Sequence, residues 1–85
     1  MSYTVYIVRC SDNTYYTGIA RDVTARVTAH NTSPQGAKYT RARRPVVLVY
    51  QEQCVDRSSA QKREYVIRRT RRSQKEALIR GQVDV

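Results

Sequence analysis

The chain has 85 residues, which leaves room for one small domain spanning residues 1–85. Hydrophobic residues make up 40% of it, enough for a modest core and too many for a disordered tail. Sixteen lysines and arginines against seven acidic residues give a formal net charge of +9. This excess favours a nucleic acid as partner, because phosphate contacts release condensed counterions. Solubility alone explains it less well, since arginine, which suits bidentate phosphate contact, far outnumbers lysine.

Several other classes of protein are disfavoured. No run approaches the roughly 18 apolar residues of a membrane span, and the first four residues lack the features of a secretory signal. Binding to an anionic membrane surface is the weaker alternative to nucleic acid, because no helix pairs a clean apolar face with a basic one. Cys10 and Cys54 have no metal-binding spacing, and a disulfide is disfavoured in a chain without an export signal. We therefore expect a cytoplasmic protein with reduced thiols.

The first third of the chain predicts a β-hairpin. Residues 3–10 and 14–19 are rich in valine, isoleucine, tyrosine and threonine, and residues 11–13 form a turn in which Asn13 accepts a left-handed conformation. A three-residue loop with a bulge pairs Tyr6 with Gly18 and Val8 with Tyr16. In that register Tyr6 and Tyr16 share one face as diagonal neighbours, whereas a four-residue loop would place them on opposite faces.

The rest of the chain predicts three helices and one more strand. Asp22 is a good N-cap for a helix to about His30, with Asn31 closing it, and a loop at 32–36 continues into a basic segment. The continuous apolar run of the strand at 46–51 indicates burial on both faces. A helix over 57–70 begins after Asp56, and a capping box at residues 73–76 opens the last helix, which Gly81 ends. The order ββαβαα predicts a small mixed sheet with helices packed on it.

Two tyrosines are candidates for chemistry rather than packing. All seven aromatic residues are tyrosine, so the structural alternative is that tyrosine is simply the aromatic residue this protein uses for packing. Tyr6 and Tyr16 differ because the register places both beside Gly18, whose missing side chain leaves a gap for a backbone or a ligand. A phenol has an unperturbed pKa of about 10. Arginines and a metal ion nearby would lower it, so that the phenol accepts a proton from water.

The helix after the hairpin carries the only histidine. A histidine in a last helical turn more often interacts with the helix C-terminus than takes part in catalysis. His30 stands out because Arg26 lies one turn earlier on the same strip. A neutral imidazole can orient a phenol or a water, and Arg26 suits a non-bridging phosphate oxygen.

Glu64 is the acidic residue without an evident structural task. It lies in the middle of the second helix, on its inward stripe. An ion pair with Arg68, four residues on, is the structural alternative. A carboxylate turned toward a sheet needs a partner, and a metal ion is one. Because Mg²⁺ commonly takes one or two carboxylates and keeps several waters, Glu64 suffices for one ion but not for a two-metal site.

The segment 38–44 interleaves one aromatic ring with four cations in a loop, a pattern that indicates a phosphate grip with a stacking ring. A second basic cluster follows at 68–72. Either cluster alone would pass for a solvated face. With Gly18, the predicted substrate-binding residues are Lys38, Tyr39, Arg41, Arg43 and Arg44.

Together these residues resemble the catalytic domain of the GIY-YIG nuclease superfamily over about residues 3–80. Residues 4–6 stand where the family has G-I-Y and match only at Tyr6, while residues 16–18 stand for Y-I-G and match at Tyr16 and Gly18. Arg26, His30 and Glu64 fall where the family has its arginine, histidine and metal-binding glutamate. Residues 36–46 are similar to a stand-alone subgroup of short bacterial or viral proteins, related to the nuclease subunit of eukaryotic structure-specific endonucleases.

The resemblance implies an α+β fold, a three-stranded antiparallel sheet flanked by helices, and a metal-dependent nuclease with a role in DNA repair or recombination. Tyr6, helped by His30 and Tyr16, would activate water, Arg26 would neutralise the phosphate, and Glu64 would hold Mg²⁺ or Mn²⁺. The glycine and isoleucine of G-I-Y and a late asparagine are absent, and Tyr39 is offered as a supporting catalytic residue. The alternatives are a non-catalytic basic nucleic-acid-binding module and a nuclease subunit that needs a partner protein. The sequence pattern does not distinguish DNA from RNA as substrate or endonuclease from exonuclease action. It does not define the oligomeric state either.

Overall fold

A computed structural model describes residues 2–33 and 37–81. Three antiparallel strands form one sheet in the order β2-β1-β3, and four helices flank it. The strands are β1 (Tyr3–Arg9), β2 (Tyr15–Ala20) and β3 (Val47–Cys54); the helices are α1 (Val23–Thr32), α2 (Lys38–Arg41), α3 (Arg57–Arg68) and α4 (Arg72–Ile79). The predicted fold class is confirmed. The order ββαβαα missed only α2, a single turn inside the segment that was predicted to be a loop.

The hairpin has the predicted register. Tyr6 pairs with Gly18 and Val8 with Tyr16, and the Cys10 amide donates to the Thr14 carbonyl over 2.8 Å. Asn13 takes the left-handed conformation, with φ of 66°. Because side chains alternate between the faces of a strand, Tyr6 and Tyr16 lie on the same face of the sheet.

The sheet separates two small cores. On one face Tyr6 and Val8 of β1, and Cys10 just after it, pack with Val23 of α1 and with Val46. On the other face Val5 and Ile7 pack with the last two helices through Ala60, Ile67 and Leu78. β1 is therefore the buried central strand, with α1 on one side and α3 and α4 on the other.

The third strand corrects one prediction. The apolar run in β3 indicated burial on both faces, but β3 is an edge strand that pairs only with β1, and Val47 is 50% exposed. An apolar run does not show whether a strand has one neighbour or two. The predicted end of α1 at Asn31 is also wrong. The helix continues to Thr32, and the Asn31 amide instead accepts from Val46 N over 2.7 Å and donates to Val46 O over 3.0 Å.

Two of the predicted helix starts are confirmed and one is wrong. Asp22 accepts from the Ala25 amide over 3.1 Å, and Asp56 accepts from the Ser59 amide over 2.8 Å. The capping box is wrong because α4 begins one residue before Ser73 and has no side-chain cap. Glu76 instead accepts from the Tyr15 hydroxyl over 3.2 Å.

The remaining features concern the ends of elements and the cysteines. α3 ends two residues earlier than predicted, and Gly81 follows α4 with φ of 74°, as its predicted role as a stop requires. Cys10 and Cys54 are free thiols. Across residues 2–33 and 37–81, no helix is long and apolar enough to cross a membrane. Residues 34–36 of the predicted loop lie outside the described residues.

Candidate active site

Gly18 makes room for the ring of Tyr6. A Cβ atom at Gly18 would lie 2.5 Å from the Tyr6 hydroxyl oxygen and 2.7 Å from its Cζ atom. Gly18 itself is buried, and only 1% of Tyr6 is exposed. The predicted gap opposite Tyr6 is therefore real, but the Tyr6 side chain fills it and no ligand can approach Gly18 there. Because Gly18 has no side chain, the Tyr6 phenol can extend across β2 toward the free edge of the sheet.

The Tyr6 hydroxyl begins a buried chain of hydrogen bonds. It lies 2.7 Å from Nε2 of His30, whose Nδ1 lies 2.8 Å from Oγ1 of Thr40. The Thr40 hydroxyl donates in turn to the Ala37 carbonyl over 2.8 Å. His30 and Thr40 have no exposed surface at all. Sequence analysis missed Thr40, because one threonine in a basic segment carries no periodic or spacing signal.

Burial keeps both rings neutral near neutral pH. Desolvation, with a contribution from Tyr16, raises the pKa of Tyr6 to about 12, although the charge and side-chain hydrogen bond of Arg26 act to lower it. Desolvation and the nearby charges of Arg26 and Arg44 lower the pKa of His30 to about 4. The expectation of a lowered pKa for Tyr6 is thus wrong for the protein without a bound metal. Desolvation raises this pKa by more than the Arg26 guanidinium lowers it.

Tyr16 links this pair to the basic segment. Its ring meets His30 edge-on, with centroids 5.3 Å apart, and stacks on Tyr39 with centroids 6.0 Å apart. The Arg43 guanidinium lies 4.0 Å from the centroid of the Tyr39 ring. The aromatic contacts therefore hold α2 beside the hairpin, a packing role that the sequence analysis did not predict for Tyr39.

The four cations of the predicted phosphate grip have different surroundings. Lys38 and Arg41 are exposed. Arg43 forms a 3.1 Å ion pair with Asp12. Arg44 donates to the carbonyls of His30 and Ser33 at the end of α1. Because these bonds occupy its guanidinium, Arg44 is a structural residue here, and Lys38 and Arg41 are the cations free to meet a phosphate.

Glu64 lies on α3, which packs against β1 and β2. Its negative charge is the smallest of the causes that act on the pKa of Tyr6, and it raises that pKa. The Glu64 carboxylate is therefore near enough to Tyr6 to act on it electrostatically. Within the described ranges Glu64 and Arg68 form no ion pair, so the structural alternative for Glu64 does not apply.

Two hollows adjoin at Arg68. One, of about 610 Å³, lies along α3 and is lined by residues that include Glu64 and Arg68. The other, of about 220 Å³, is lined by Tyr16, Tyr39 and Lys75 and shares Arg68 with the first. Cations and aromatic rings thus line both hollows, which suits a polyanion with rings.

A single divalent ion fits the donor set. The part of the chain that the structure describes holds no cluster of three histidine, cysteine or acidic residues. Glu64 is half-buried and lines the larger hollow, where Arg68 and Arg69 suit the phosphate rather than the ion. One carboxylate of this kind suits Mg²⁺ or Mn²⁺ whose other ligands are waters and a substrate phosphate, and does not suit a closed structural site.

His30 should make the fold sensitive to mild acid. Its pKa is about 4 in the folded chain against 6.5 when unperturbed, so the unfolded chain binds the extra proton between these values. Stability is therefore fully present above pH 6.5 and falls by up to about 3 kcal/mol as the pH drops toward 4. Urea unfolding at several pH values measures this, and His30→Gln should remove that component. Parallel losses in both proteins would contradict it.

Comparison with known proteins identifies the family to which the chain belongs. A family model described as the GIY-YIG catalytic domain matches residues 2–77. The chain therefore belongs to the GIY-YIG family, and the family suggests nuclease activity. Within it, a UPF0213 protein of Staphylococcus aureus is 57% identical over 79 residues, covering 93% of this chain and 95% of that protein. A UPF0213 protein of Desulfotalea psychrophila is 53% identical over 77 residues, covering 91% of this chain and 70% of that protein.

Solved structures agree with this assignment. The solution structure of a UPF0213 protein from Bacillus halodurans has a TM-score of 0.59 and 39% identity, covering 93% of this chain and 83% of that one. A solution structure of a protein from E. faecalis has a TM-score of 0.64 and 37% identity, covering 95% and 85%. The expected resemblance to a small stand-alone GIY-YIG family is confirmed.

Proposed function

We propose that this chain, as one GIY-YIG domain, is a divalent-metal-dependent nuclease that hydrolyses phosphodiester bonds in nucleic acid, with DNA as the favoured substrate. The observation that carries the proposal is the position of the Tyr6 hydroxyl. It is bonded to His30 on one side of the sheet and lies within the electrostatic reach of Glu64 on the other. This electrostatic link supports a site in which a proton acceptor and a carboxylate that could bind a metal act together in basic surroundings.

Glu64 is the residue that would hold Mg²⁺ or Mn²⁺. The ion would supply charge to stabilise the phosphate and the departing oxygen. Arg26, which already interacts with Tyr6, would neutralise charge that grows on the same phosphate.

Tyr6 acts as a proton relay in this scheme. With a pKa of about 12 it is a neutral phenol at physiological pH. Its oxygen accepts the proton of the attacking water while its own proton moves to Nε2 of His30, 2.7 Å away. The relay replaces the initial hypothesis of a phenol with a lowered pKa. Phosphate bound beside Arg26 would also offset the positive charge that lowers the pKa of His30.

The nucleic acid would lie along the free edge of β2. Lys38 and Arg41 are exposed, and Arg68 and Lys75 line the smaller hollow together with Tyr39. The Tyr39 ring already contacts Tyr16 and Arg43, so a base would have to stack on its remaining exposed part, 38% of its surface. These residues give backbone contact, which positions a strand without reading its sequence.

Tyr6→Phe tests the relay. It deletes the one hydroxyl that joins water to His30, so cleavage with Mg²⁺ should fall about 10²–10⁴-fold, the range of general acid–base effects. Initial rates on branched, flapped and single-stranded DNA measure it. Tyr50→Phe is the matched control, because Tyr50 binds Glu52 at the opposite edge of the sheet.

The same assay separates the alternatives. Equal trace activity in wild type and Tyr6→Phe would mean contamination and would remove the enzyme proposal. Salt-sensitive binding without turnover would then favour a basic binding module. Turnover that appears only with added cell extract, and that Tyr6→Phe abolishes, would favour a nuclease subunit that needs a partner protein.

A further inference from the structure

The proton on His30 can be placed from its neighbours. Tyr6 is a buried neutral phenol, so its O–H needs an acceptor. Arg26, which also interacts with the Tyr6 oxygen, has only donors. Nε2 of His30, 2.7 Å away, can accept only if it carries no proton. In a neutral imidazole the ring proton must therefore lie on Nδ1.

Thr40 is positioned to accept a hydrogen bond from Nδ1–H of His30. Its Oγ1 lies 2.8 Å from Nδ1, and its own proton points to the Ala37 carbonyl over 2.8 Å. Its oxygen is thus left to accept from Nδ1–H. The Ala37 amide also donates toward Nδ1 over 3.4 Å, a contact that favours an unprotonated Nδ1. It is longer than the roughly 2.7–3.2 Å of ordinary N–H hydrogen bonds, so we give the shorter Thr40 contact and the need of the Tyr6 hydroxyl for an acceptor more weight.

We propose that Thr40 is a positioning residue that holds His30 in the tautomer with its proton on Nδ1, so that Nε2 is open to the proton of Tyr6. In the opposite tautomer an N–H would face the phenol, and no proton could pass to the ring. In the transfer, the Tyr6 O–H bond breaks and the Nε2–H bond forms. The Tyr6 oxygen takes its new proton from the attacking water, and the imidazolium keeps its Nδ1–H on Thr40.

This inference rests on the proposed function for its consequence, but the tautomer is measurable without any activity. His30 is the only histidine, so ¹⁵N-histidine labelling gives two ring-nitrogen signals and no overlap. The wild type should show a protonated Nδ1 and an unprotonated Nε2. Thr40→Val keeps the side-chain shape without the hydroxyl and should shift the population toward the Nε2–H tautomer. Thr40→Ser restores the hydroxyl and should restore the wild-type signals.

Cleavage supplies the second readout. Thr40→Val should lower kcat roughly 10–100-fold, the usual effect of losing a residue that orients a functional side chain. KM should be unchanged. Thr40→Ser should recover most of the rate. A protonated Nε2 in the wild type, or a wild-type tautomer in folded Thr40→Val, would overturn the assignment. If Thr40→Val does not fold, Thr40→Ala removes the same hydroxyl with less bulk and must meet the same expectation.

The two proposals fail separately. If the labelled ring shows the expected tautomer and its dependence on Thr40, but no variant or wild type cleaves nucleic acid, the nuclease proposal is lost. The placement of the His30 proton by Thr40 then stands as a property of the buried chain.

Discussion

Glu64→Gln should reduce metal-dependent cleavage by about 10²–10³-fold or more, while the protein stays folded and still binds nucleic acid. Glutamine keeps the size of the side chain and removes the charge that a divalent ion requires. Glu64 is an acidic residue whose charge acts on Tyr6, and for this reason we place the ion there. Initial rates against Mg²⁺ concentration, beside a binding titration, measure the effect.

Glu52→Gln is the matched control. Glu52 is also half-buried, but it lies on β3, at the far edge of the sheet, where it accepts from Arg63 over 2.7 Å. The control should lose some stability and keep its cleavage rate. Equal rates for both variants would mean that Glu64 holds no catalytic metal, whatever the fold suggests.

Gly18→Ala should damage the site without touching a reacting group. The added methyl would lie 2.5 Å from the Tyr6 hydroxyl oxygen, so the ring must move away from its 2.7 Å contact with His30. Overpacking of this kind costs about 1–3 kcal/mol of stability. Because a displacement of about 1 Å near the chemistry can cost about 10²-fold in rate, cleavage should fall by at least that factor.

Gly81→Ala separates the loss of stability from the displacement of the Tyr6 ring. At Gly81 a Cβ atom meets nothing within 4 Å, but the backbone has φ of 74° and strains any other residue by roughly 1–2 kcal/mol. Urea unfolding should therefore show comparable losses of stability in both glycine variants. Only Gly18→Ala should lose cleavage, and a fully active Gly18→Ala protein would show that the position of the Tyr6 ring does not matter.

The local parts of this fold follow from the sequence. The turn at Asn13, the pairing of Tyr6 with Gly18 and the caps at Asp22 and Asp56 each depend on residues close together in the chain. Short-range hydrogen bonds and strand alternation decide such features. The same reasoning brought Tyr6 and Tyr16 to one face, and the lack of a structural task singled out Glu64 before the resemblance gave it a role.

The parts that were missed depend on contacts distant in sequence. The edge position of β3 is set by its pairing with β1, which an apolar run does not reveal. The carbonyls that engage Arg44 belong to the end of another helix. Thr40 lies ten residues from His30, with no pattern to join them. The high pKa of Tyr6 results mainly from desolvation by burial, which residue identity alone does not give.

We propose that Glu64 and Tyr6 face one metal and one phosphate beside β2. A crystal of the Tyr6→Phe variant with a DNA oligonucleotide and Mn²⁺ can show this by anomalous scattering. We expect one manganese peak between the Glu64 carboxylate and a phosphate that lies over the ring of residue 6. A bound strand whose manganese lies away from Glu64, or no manganese at all beside that carboxylate, would contradict it.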